Sequence, residues 1–345
     1  MDPAELINTV VLARVRLQSG EMLKGTLLNE SSSRALVASA ANGGLNEPVK
    51  LAWIGPDQLH ENEASRRLAA AVSGRGIQLS APHQSRVNLV ASHAGVLHVD
   101  VAALTAVNRL DPLEVFTLYD GTAVRAAQVV ASTKVAPHLV NADVIEQAER
   151  LAGQSPGVVE VRPYRSLEVG ALVMERVPAD HLARFESAIR GKLESLGSRL
   201  KLLELAVSAV PAENESLVLA SLHTMAVTQR LPLVLVAGVS AGDPLAPFFR
   251  GLERAGGRMI RHGVPAHPGS MIWLARVEET QILGLPGCGM FSMATAADLL
   301  LPRLLTGEVL SADSIAGLGH GGLLTREIRF RFPDYAQRLE SPDAE

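Results

Sequence analysis

The chain has 345 residues, of which 47% are hydrophobic and 20% are charged, and its mean hydropathy is +0.18. This composition excludes an intrinsically disordered chain, and the length predicts two domains. The formal charge of −4 and the aromatic share of 3% argue against nucleic-acid binding, which needs a basic surface and stacking side chains.

The single cysteine, Cys288, excludes an intrachain disulfide and a cysteine-rich zinc site, and we expect no metal site. The acidic first residues lack the pattern of a secretory signal. The longest uncharged stretch, 280–297, is interrupted by glycine and proline, which favours a strand, a turn and a helix over a membrane span. We therefore expect a cytoplasmic protein that binds no membrane.

Residues 1–163 are predicted to form a smaller α+β domain. Val10–Leu17 and Met22–Leu28 flank Gly20, which predicts a hairpin. Glu61–Val72 is rich in Ala and Leu and precedes Ser73-Gly74, which predicts a helix that ends there. Alternating apolar residues then predict strands at 87–90 and 95–99, a helix at 101–108 and further strands within 113–134.

Residues 164–308 alternate between β-branched or leucine runs and amphipathic segments, which predicts an α/β domain with a doubly wound, mostly parallel sheet. The predicted strands are 169–174, 200–207, 233–237 and 258–262, followed by a hairpin of 271–277 with 281–285. The predicted helices are 180–196, 212–230, one that opens at 238–243 and closes at 256–257, and a last one at 290–305.

Residues 309–345 are interpreted as a C-terminal tail. Within it, Arg326, Arg329 and Arg331 alternate with Ile328 and Phe330, which favours an exposed edge strand or a contact with a partner.

Three loops rich in glycine or proline follow strands of the second predicted domain. Loop A is Gly238–Asp243, loop B is Val264–Ser270 and loop C is Gly284–Gly289. In open α/β sheets ligands bind outside the carboxyl ends of the strands, and glycine lets the backbone approach a ligand closely. Together the three loops predict a site for an anionic group such as a phosphate.

In this order the loops resemble the molybdopterin-binding domain (MoaB/Mog-like and MoeA-like) of molybdopterin adenylyltransferases and molybdopterin molybdenumtransferases. Molybdenumtransferases have Gly-Gly-Val-Ser-x-Gly-Asp where this chain has Ala-Gly-Val-Ser-Ala-Gly-Asp at 237–243. Their Lys-Pro-Gly-Lys segment is matched by His-Pro-Gly-Ser at 267–270, and their Gly-Leu-Pro-Gly-Asn-Pro turn by Gly-Leu-Pro-Gly-Cys-Gly at 284–289. The resemblance covers 168–307.

A second resemblance extends over nearly the whole chain, to bacterial MoeA-like proteins that often carry a nucleotidyltransferase domain. It includes Lys24-Gly25-Thr26, Glu61-Asn62-Glu63-Ala64 and the glycine-rich run at 315–323. Since the chain ends at Glu345, we expect no nucleotidyltransferase domain in it. The resemblance implies a role in molybdenum cofactor biosynthesis or maturation, with a cytidylyltransferase or a recipient molybdoenzyme as partner and a homo-oligomer as a possible assembly.

The chain departs from the molybdenumtransferase pattern in its lysines. His267 and Ser270 replace both lysines of the Lys-Pro-Gly-Lys segment, and no lysine follows Lys201. An arginine does not replace a lysine as a compact point charge. By sequence, the cations within reach of the loops are His267, Arg261, Arg276 and Arg176, which leaves open whether the chain is catalytic.

The resemblance implies molybdopterin as the ligand, with molybdate and Mg²⁺ as possible further components. Asp243 either binds the pterin or a cation or is an ordinary helix N-cap, and His267 either meets the phosphate or makes a plain polar contact. Cys288 either contacts the sulfur or metal end of the ligand or packs at a helix start. We assign catalytic candidates as Asp243 and His267. The cofactor-binding candidates are Gly238, Ser240, Gly242, Asp243, Pro268, Gly269, Ser270, Pro286, Gly287 and Cys288.

Two functions stay open from the sequence. The first is a molybdopterin-binding protein that, if catalytic, is a molybdenumtransferase-like or adenylyltransferase-like transferase. The alternative is a non-catalytic carrier or a docking module for a nucleotidyltransferase or a molybdoenzyme, because the same scaffold can serve different chemistries.

Overall fold

The computed structural model describes residues 2–45, 47–285 and 293–339. The chain divides into two compact units. Unit 1 comprises Met1–His93, Leu97–Asp120 and Arg125–Val161, and unit 2 comprises Ala94–Val96, Gly121–Val124 and Arg162–Glu345. Strands and helices occur in both, so the mixed α/β class expected from the sequence is confirmed.

The first part of the chain contains short strands and four helices among the described residues. Its strands are β1 (Thr9–Val11), β2 (Val15–Leu17), β3 (Gly20–Met22), β4 (Leu51–Trp53), β5 (Gln58–His60), β6 (Ile77–Leu79), β7 (Arg86–Ala91), β8 (Gly95–Val99), β9 (Leu113–Thr117), β10 (Ala123–Val124), β11 (Val129–Val135), β12 (Leu139–Asn141) and β13 (Val159–Pro163). Its helices are α1 (Glu30–Ala41), α2 (Glu61–Val72), α3 (Val101–Asn108) and α4 (Ala142–Ala152).

The predicted bounds of α2 and α3 are confirmed, while the predicted strand Met22–Leu28 is wrong for most of its length. The hairpin is formed by β2 and β3 alone, with Leu17 opposite Gly20. After Met22 the chain turns, and Gly25 adopts a positive φ of 78° that interrupts any extended strand.

Helices α2 and α4 of unit 1 are joined by an ion pair. The Arg67 guanidinium donates to both carboxylate oxygens of Glu149, at 2.8 and 2.7 Å. This donation from Arg67 lowers the pKa of Glu149, and burial opposes it only in part. A group whose pKa is lowered by folding stabilises the fold above its unfolded pKa and loses that contribution as pH falls through the folded value.

We therefore expect Glu149→Gln to lower the free energy of unfolding at pH 7 by about 0.5–1 kcal/mol, because the pair is partly solvated. The difference from the wild type shrinks below pH 4 and vanishes once Glu149 is protonated. Denaturant titrations at pH 7 and pH 3 measure it, with the exposed Glu146→Gln on the same helix as the control. A gap of equal size at both pH values would contradict the assignment.

Unit 2 is built on a six-stranded sheet with the order β15-β14-β16-β19-β18-β17. Strands β15, β14, β16 and β19 are parallel, β18 is antiparallel to β19, and β17 is antiparallel to β18. The strands are β14 (Glu168–Val173), β15 (Arg199–Leu205), β16 (Leu233–Ala237), β17 (Arg258–His262), β18 (Trp273–Val277) and β19 (Thr280–Gly284). The predicted bounds of β16 and β17 and the predicted hairpin are confirmed.

The helices of unit 2 pack on both faces of this sheet. The α-helices are α5 (Ala179–Ser195), α6 (Asn214–Leu222), α7 (Pro247–Arg254), α8 (Ala297–Leu305), α9 (Ala312–Ala316) and α10 (Asp334–Gln337). The helix predicted at 212–230 is α6 together with the π-helix His223–Thr228 that follows it directly. Alternate residues of β16 enter two separate cores, because successive side chains of a strand point to opposite faces. Leu235 packs with α5 and α8, whereas Val234 and Val236 pack with α6 and α7.

The segment after α8 contributes to one of these cores. Its buried apolar side chains lie in the core formed with α5 and α8, and they are Leu310, Ile315, Leu318, Leu324, Phe332 and Ala336. The predicted edge strand around the alternating arginines is wrong, because Arg326–Arg331 form a 3₁₀ helix. Within the described residues, no helix is both long and apolar enough to cross a membrane.

Candidate functional site

The carboxyl ends of strands β14, β16, β17 and β19 lie at one edge of the unit 2 sheet. In the parallel pairings Val173 lies beside Ala237, and Gly284 ends β19 in the same direction. Strand β17 also runs this way, since His262 pairs with Trp273, and Trp273 pairs with Gly284. The structure therefore brings loop A, loop B and the start of loop C to the same edge.

A hydrogen bond from Trp273 holds the backbone of loop A. The indole N–H of this fully buried side chain donates to the Val239 carbonyl at 3.0 Å. Gly238 has a positive φ of 81°, and a Cβ there would lie only 3.0 Å from the Glu175 backbone nitrogen. Glycine is therefore required, and Ser240, Gly242 and the Asp243 side chain are left exposed.

Asp243 does not cap the helix that follows, so the N-cap alternative for this residue is wrong. Helix α7 starts at Pro247 with Ala246 as its N-cap, because proline is favoured in the first helical turn and its fixed φ starts the helix there. The Asp243 carboxylate instead accepts from the Leu245 N–H at 3.0 Å. This bond closes a local turn and leaves the second carboxylate oxygen with no hydrogen bond among the described residues.

Loop B contains both buried and exposed residues. Pro268 and Gly269 are buried, whereas His267 and Ser270 are exposed. The Pro268 carbonyl accepts from the Ala296 N–H at 2.9 Å. A Cβ on Gly269, whose φ is 112°, would lie 2.8 Å from that nitrogen. Pro268 and Gly269 thus join loop B to the segment that leads into α8, and His267 and Ser270 remain exposed beside them.

Loop A approaches the residue that follows loop B. A Cβ added to Gly242 would lie 3.0 Å from the terminal methyl of Met271, the residue that follows loop B. The backbone N–H groups of Ala241 and Ser270 donate to no acceptor within the part of the chain that the structure describes. These two amides and the exposed Asp243 carboxylate therefore belong to segments that meet at the contact of Gly242 with Met271.

Loop C begins beside loop A, where the Leu285 N–H donates to the Val236 carbonyl at 2.7 Å. The candidates Pro286, Gly287 and Cys288 lie outside the described residues. Of the helix predicted at 290–305, residues 290–292 also lie outside the described residues, 293–296 are not helical, and α8 starts at Ala297. Before it, the Thr295 N–H donates to Asp298 at 3.0 Å and so forms a local turn in place of a helical one.

The cations expected near the loops are distributed differently from the sequence expectation. Arg276 is bound to Glu279 at 2.6 Å and to the Glu278 carbonyl at 2.6 Å, at the β18–β19 turn and so at the opposite edge of the sheet. Arg261 donates to the Gly263 carbonyl at 3.1 Å and supports the start of the loop B connection. The exposed imidazole of His267 is therefore the basic group that loop B itself presents.

Sequence reasoning missed a fourth segment at this edge. The C-terminal turn, Gly319–Gly322, lies against loop B, because the His267 N–H donates to the Gly322 carbonyl at 2.7 Å. The glycine-rich run was visible in the sequence, but its contact with His267 is between residues far apart in the chain and has no local signal.

A buried ion pair supports the edge from within the core. Lys192 of α5 lies 2.8 Å from Asp298 of α8, and the two side chains are 10% and 1% exposed. Tyr335 contributes its ring 5.6 Å from the Lys192 nitrogen. Burial, reinforced by the charge of Asp298, raises the pKa of the Tyr335 hydroxyl far above its usual value, so this hydroxyl stays protonated.

Unit 1 contains a cleft of about 460 Å³ whose lining includes residues 23–27 and the first turn of α2. Its carboxylates already have partners. Glu61 lies 2.7 Å from the His138 ring nitrogen Nδ1, and Glu63 is bonded to Arg66 at 2.6 Å. The residues that line this cleft include none of the predicted site residues.

Comparisons with known proteins found distant structural similarities. No protein-family model matches the chain, and no curated protein matches it. Among solved structures, it is similar to the molybdopterin biosynthesis MoeA protein from Pyrococcus horikosii, with 13% identity, 72% of this chain and 79% of that chain covered, and a TM-score of 0.30. It is also similar to a NadC deletion mutant, with 11% identity, 49% of this chain and 70% of that chain covered, and a TM-score of 0.17. At these TM-scores neither similarity supports an inference about function.

Proposed function

We propose that unit 2 binds molybdopterin at the edge formed by loops A, B and C, and that the protein acts in molybdenum cofactor biosynthesis or maturation. The observation that carries this proposal is the convergence of loops A and B, with their exposed polar groups, in the order that resembles the molybdopterin-binding domain. The backbone constraints at Gly238 and Gly269 support it, because they fix loop A against Glu175 and loop B against Ala296 while Ser240, His267 and Ser270 stay exposed.

Backbone and side-chain groups of these loops would contact different parts of the ligand. The N–H groups of Ala241 and Ser270, with the hydroxyls of Ser240 and Ser270, would donate to phosphate oxygens. The free oxygen of Asp243 would accept from a pterin N–H or bind a cation such as Mg²⁺. His267 would donate to the phosphate from its exposed ring. Pro286, Gly287 and Cys288 stay candidates for the remaining contacts.

The alternative function, a carrier or docking module, is favoured by the distribution of positive charge. No lysine follows Lys201, and Arg276 is held at the opposite edge by Glu279. Joining molybdate to an anionic pterin requires cations that offset their mutual repulsion. Of the expected cations, Arg176, which follows β14, and His267 are exposed. Binding and delivery need fewer cations than metal insertion does.

Anaerobic purification from a host that makes molybdopterin, followed by oxidation to the fluorescent pterin and metal analysis, tests the binding proposal. Absence of pterin from the purified protein would contradict it. Incubation with molybdate and adenylated molybdopterin then separates the alternatives. Release of AMP with metal insertion identifies a transferase, and retention of the unchanged pterin identifies a carrier.

Two substitutions at Asp243 distinguish the effect of its negative charge from the effect of its hydrogen bond to the Leu245 N–H. We expect Asp243→Ala to reduce the retained pterin about tenfold, since it removes both a ligand contact and the bond to the Leu245 N–H. Asp243→Asn keeps an acceptor for that N–H and removes only the charge, so a loss of similar size identifies a direct role of the carboxylate. Pterin fluorescence per mole of protein is the measurement.

The matched control for Asp243 is Asp313→Asn, an exposed carboxylate on α9 of the same unit, which should retain pterin at the wild-type level. Wild-type retention by both Asp243 variants would remove Asp243 from the site. Loss in Asp243→Ala alone would limit its role to holding loop A.

A further inference from the structure

The C-terminal turn has the geometry of a type II β-turn. The Gly322 N–H donates to the Gly319 carbonyl at 3.2 Å, His320 has φ −76° and ψ 111°, and Gly321 has φ 79°. The third position of a type II turn requires positive φ, which glycine supplies without strain. The central residues His320 and Gly321 are exposed.

This turn and the residues after it hold the backbone of His267 on both sides. The Gly322 carbonyl accepts from the His267 N–H at 2.7 Å, and the Leu324 N–H donates to the His267 carbonyl at 2.8 Å. A Cβ on Gly322 would lie 2.4 Å from the Pro265 carbonyl oxygen, so only glycine allows this approach. The position of His267 within loop B therefore depends on the C-terminal segment.

Arg331 supports the turn from behind. Its side chain is buried at 7% exposure, and its Nη1 donates to the Gly321 carbonyl at 3.0 Å. A hydrogen bond from a guanidinium is stronger than one between neutral groups. Removal of the guanidinium would leave the Gly321 carbonyl without this donor and would loosen the turn that contacts loop B.

We propose that Arg331 is a positioning residue for the candidate site, acting through the C-terminal turn on His267. The proposal rests on the proposed function, because it concerns the loop that would meet the phosphate of the pterin. Arg331 contacts no ligand itself. It fixes the turn, and the turn fixes the His267 backbone. The exposed residues His267 and His320 then lie on neighbouring segments joined by hydrogen bonds.

The test compares Arg331→Met with Arg329→Met. Arg329 lies in the same 3₁₀ helix but donates to the Leu339 carbonyl at 3.1 Å, away from loop B. We expect Arg331→Met to raise the exchange rates of the His267 and Leu324 amides about tenfold and to lower the retained pterin about tenfold. Arg329→Met should leave both within about twofold of the wild type. Arg331→Gln, which keeps an N–H donor, should recover part of the loss.

Each outcome of this comparison supports or overturns the positioning role of Arg331. Wild-type amide exchange in Arg331→Met, or faster exchange with undiminished pterin, would overturn the positioning role. If the wild type retains no pterin, the proposed function fails, and the exchange rates of the two methionine variants then decide the role of Arg331 alone. If Arg331→Met does not fold, the same amides are compared in Arg331→Gln and Arg329→Gln, and equal exchange in these two overturns the proposal.

Discussion

Lys192→Met is expected to lower the free energy of unfolding by about 3–5 kcal/mol, because it leaves the Asp298 carboxylate buried without its cation. The ammonium of Lys192 lies 2.8 Å from one Asp298 oxygen, and the other oxygen accepts from the Thr295 N–H at 3.0 Å. Water has little access to replace the missing charge, since Asp298 is almost completely buried. Chemical denaturation at pH 7 measures the loss.

Two further variants separate the ion pair from a general effect of altering α5. Arg184→Met removes an exposed pair with Asp180 on the same helix and should change the unfolding free energy by less than about 0.5 kcal/mol. Lys192→Met combined with Asp298→Asn removes both charges while keeping an acceptor for Thr295, so it should be more stable than Lys192→Met alone. A single mutant within about 1 kcal/mol of the wild type would contradict the buried-pair interpretation.

Trp273→Ala is expected to cost about 3–5 kcal/mol in unfolding free energy, because it opens a large cavity in the core between the sheet and α7. The Trp273 ring is fully buried, with its centroid 4.8 Å from that of Phe248 and 5.4 Å from that of Phe249. Trp273 also faces Gly284 on the next strand, where any Cβ would lie 2.1 Å from the indole. The ring therefore occupies the space that a side chain at 284 would otherwise fill.

Trp273→Phe removes the hydrogen-bond donor with a smaller loss of volume than Trp273→Ala. It keeps an aromatic ring but removes the donor to the Val239 carbonyl, and we expect a loss of about 1–3 kcal/mol with faster amide exchange in loop A. Trp53→Phe is the matched control, since the other tryptophan of the chain is 60% exposed and should change stability little. Unchanged exchange in loop A would show that Trp273 does not hold this loop.

Local sequence patterns predicted the elements whose boundaries have their own chemical signals. Helix α2 ends where Ser73-Gly74 follows an Ala/Leu-rich run, and β16 is a short apolar run between Pro232 and Gly238, so both were predicted at their observed bounds. Helix α1 was missed because its first turn is rich in serine, which resembles a loop, although Asn29 and Ser32 form a capping box.

The candidate site was less predictable than the strands that carry it. Loops A and B were found from glycine and proline, but the Asp243 turn depends on where α7 begins, which Pro247 determines. The alternation of Arg326–Arg331 favoured a strand, yet the buried Arg331 and the packing of Phe332 stabilise a 3₁₀ helix instead. The contact of the C-terminal turn with His267 is non-local, and a single sequence carries no pattern for it.

The order of strands in unit 2 has a consequence for synthesis on the ribosome. Strand β19 lies between β16 and β18, so the sheet lacks an interior strand until Gly284 has left the exit tunnel, and Phe332 completes the core later still. Strands β14, β15 and β16 emerge first with the partner edge of β16 open, and open edges favour pairing with other chains. A nascent chain that ends before Thr280 therefore leaves the β19 side of β16 unpaired.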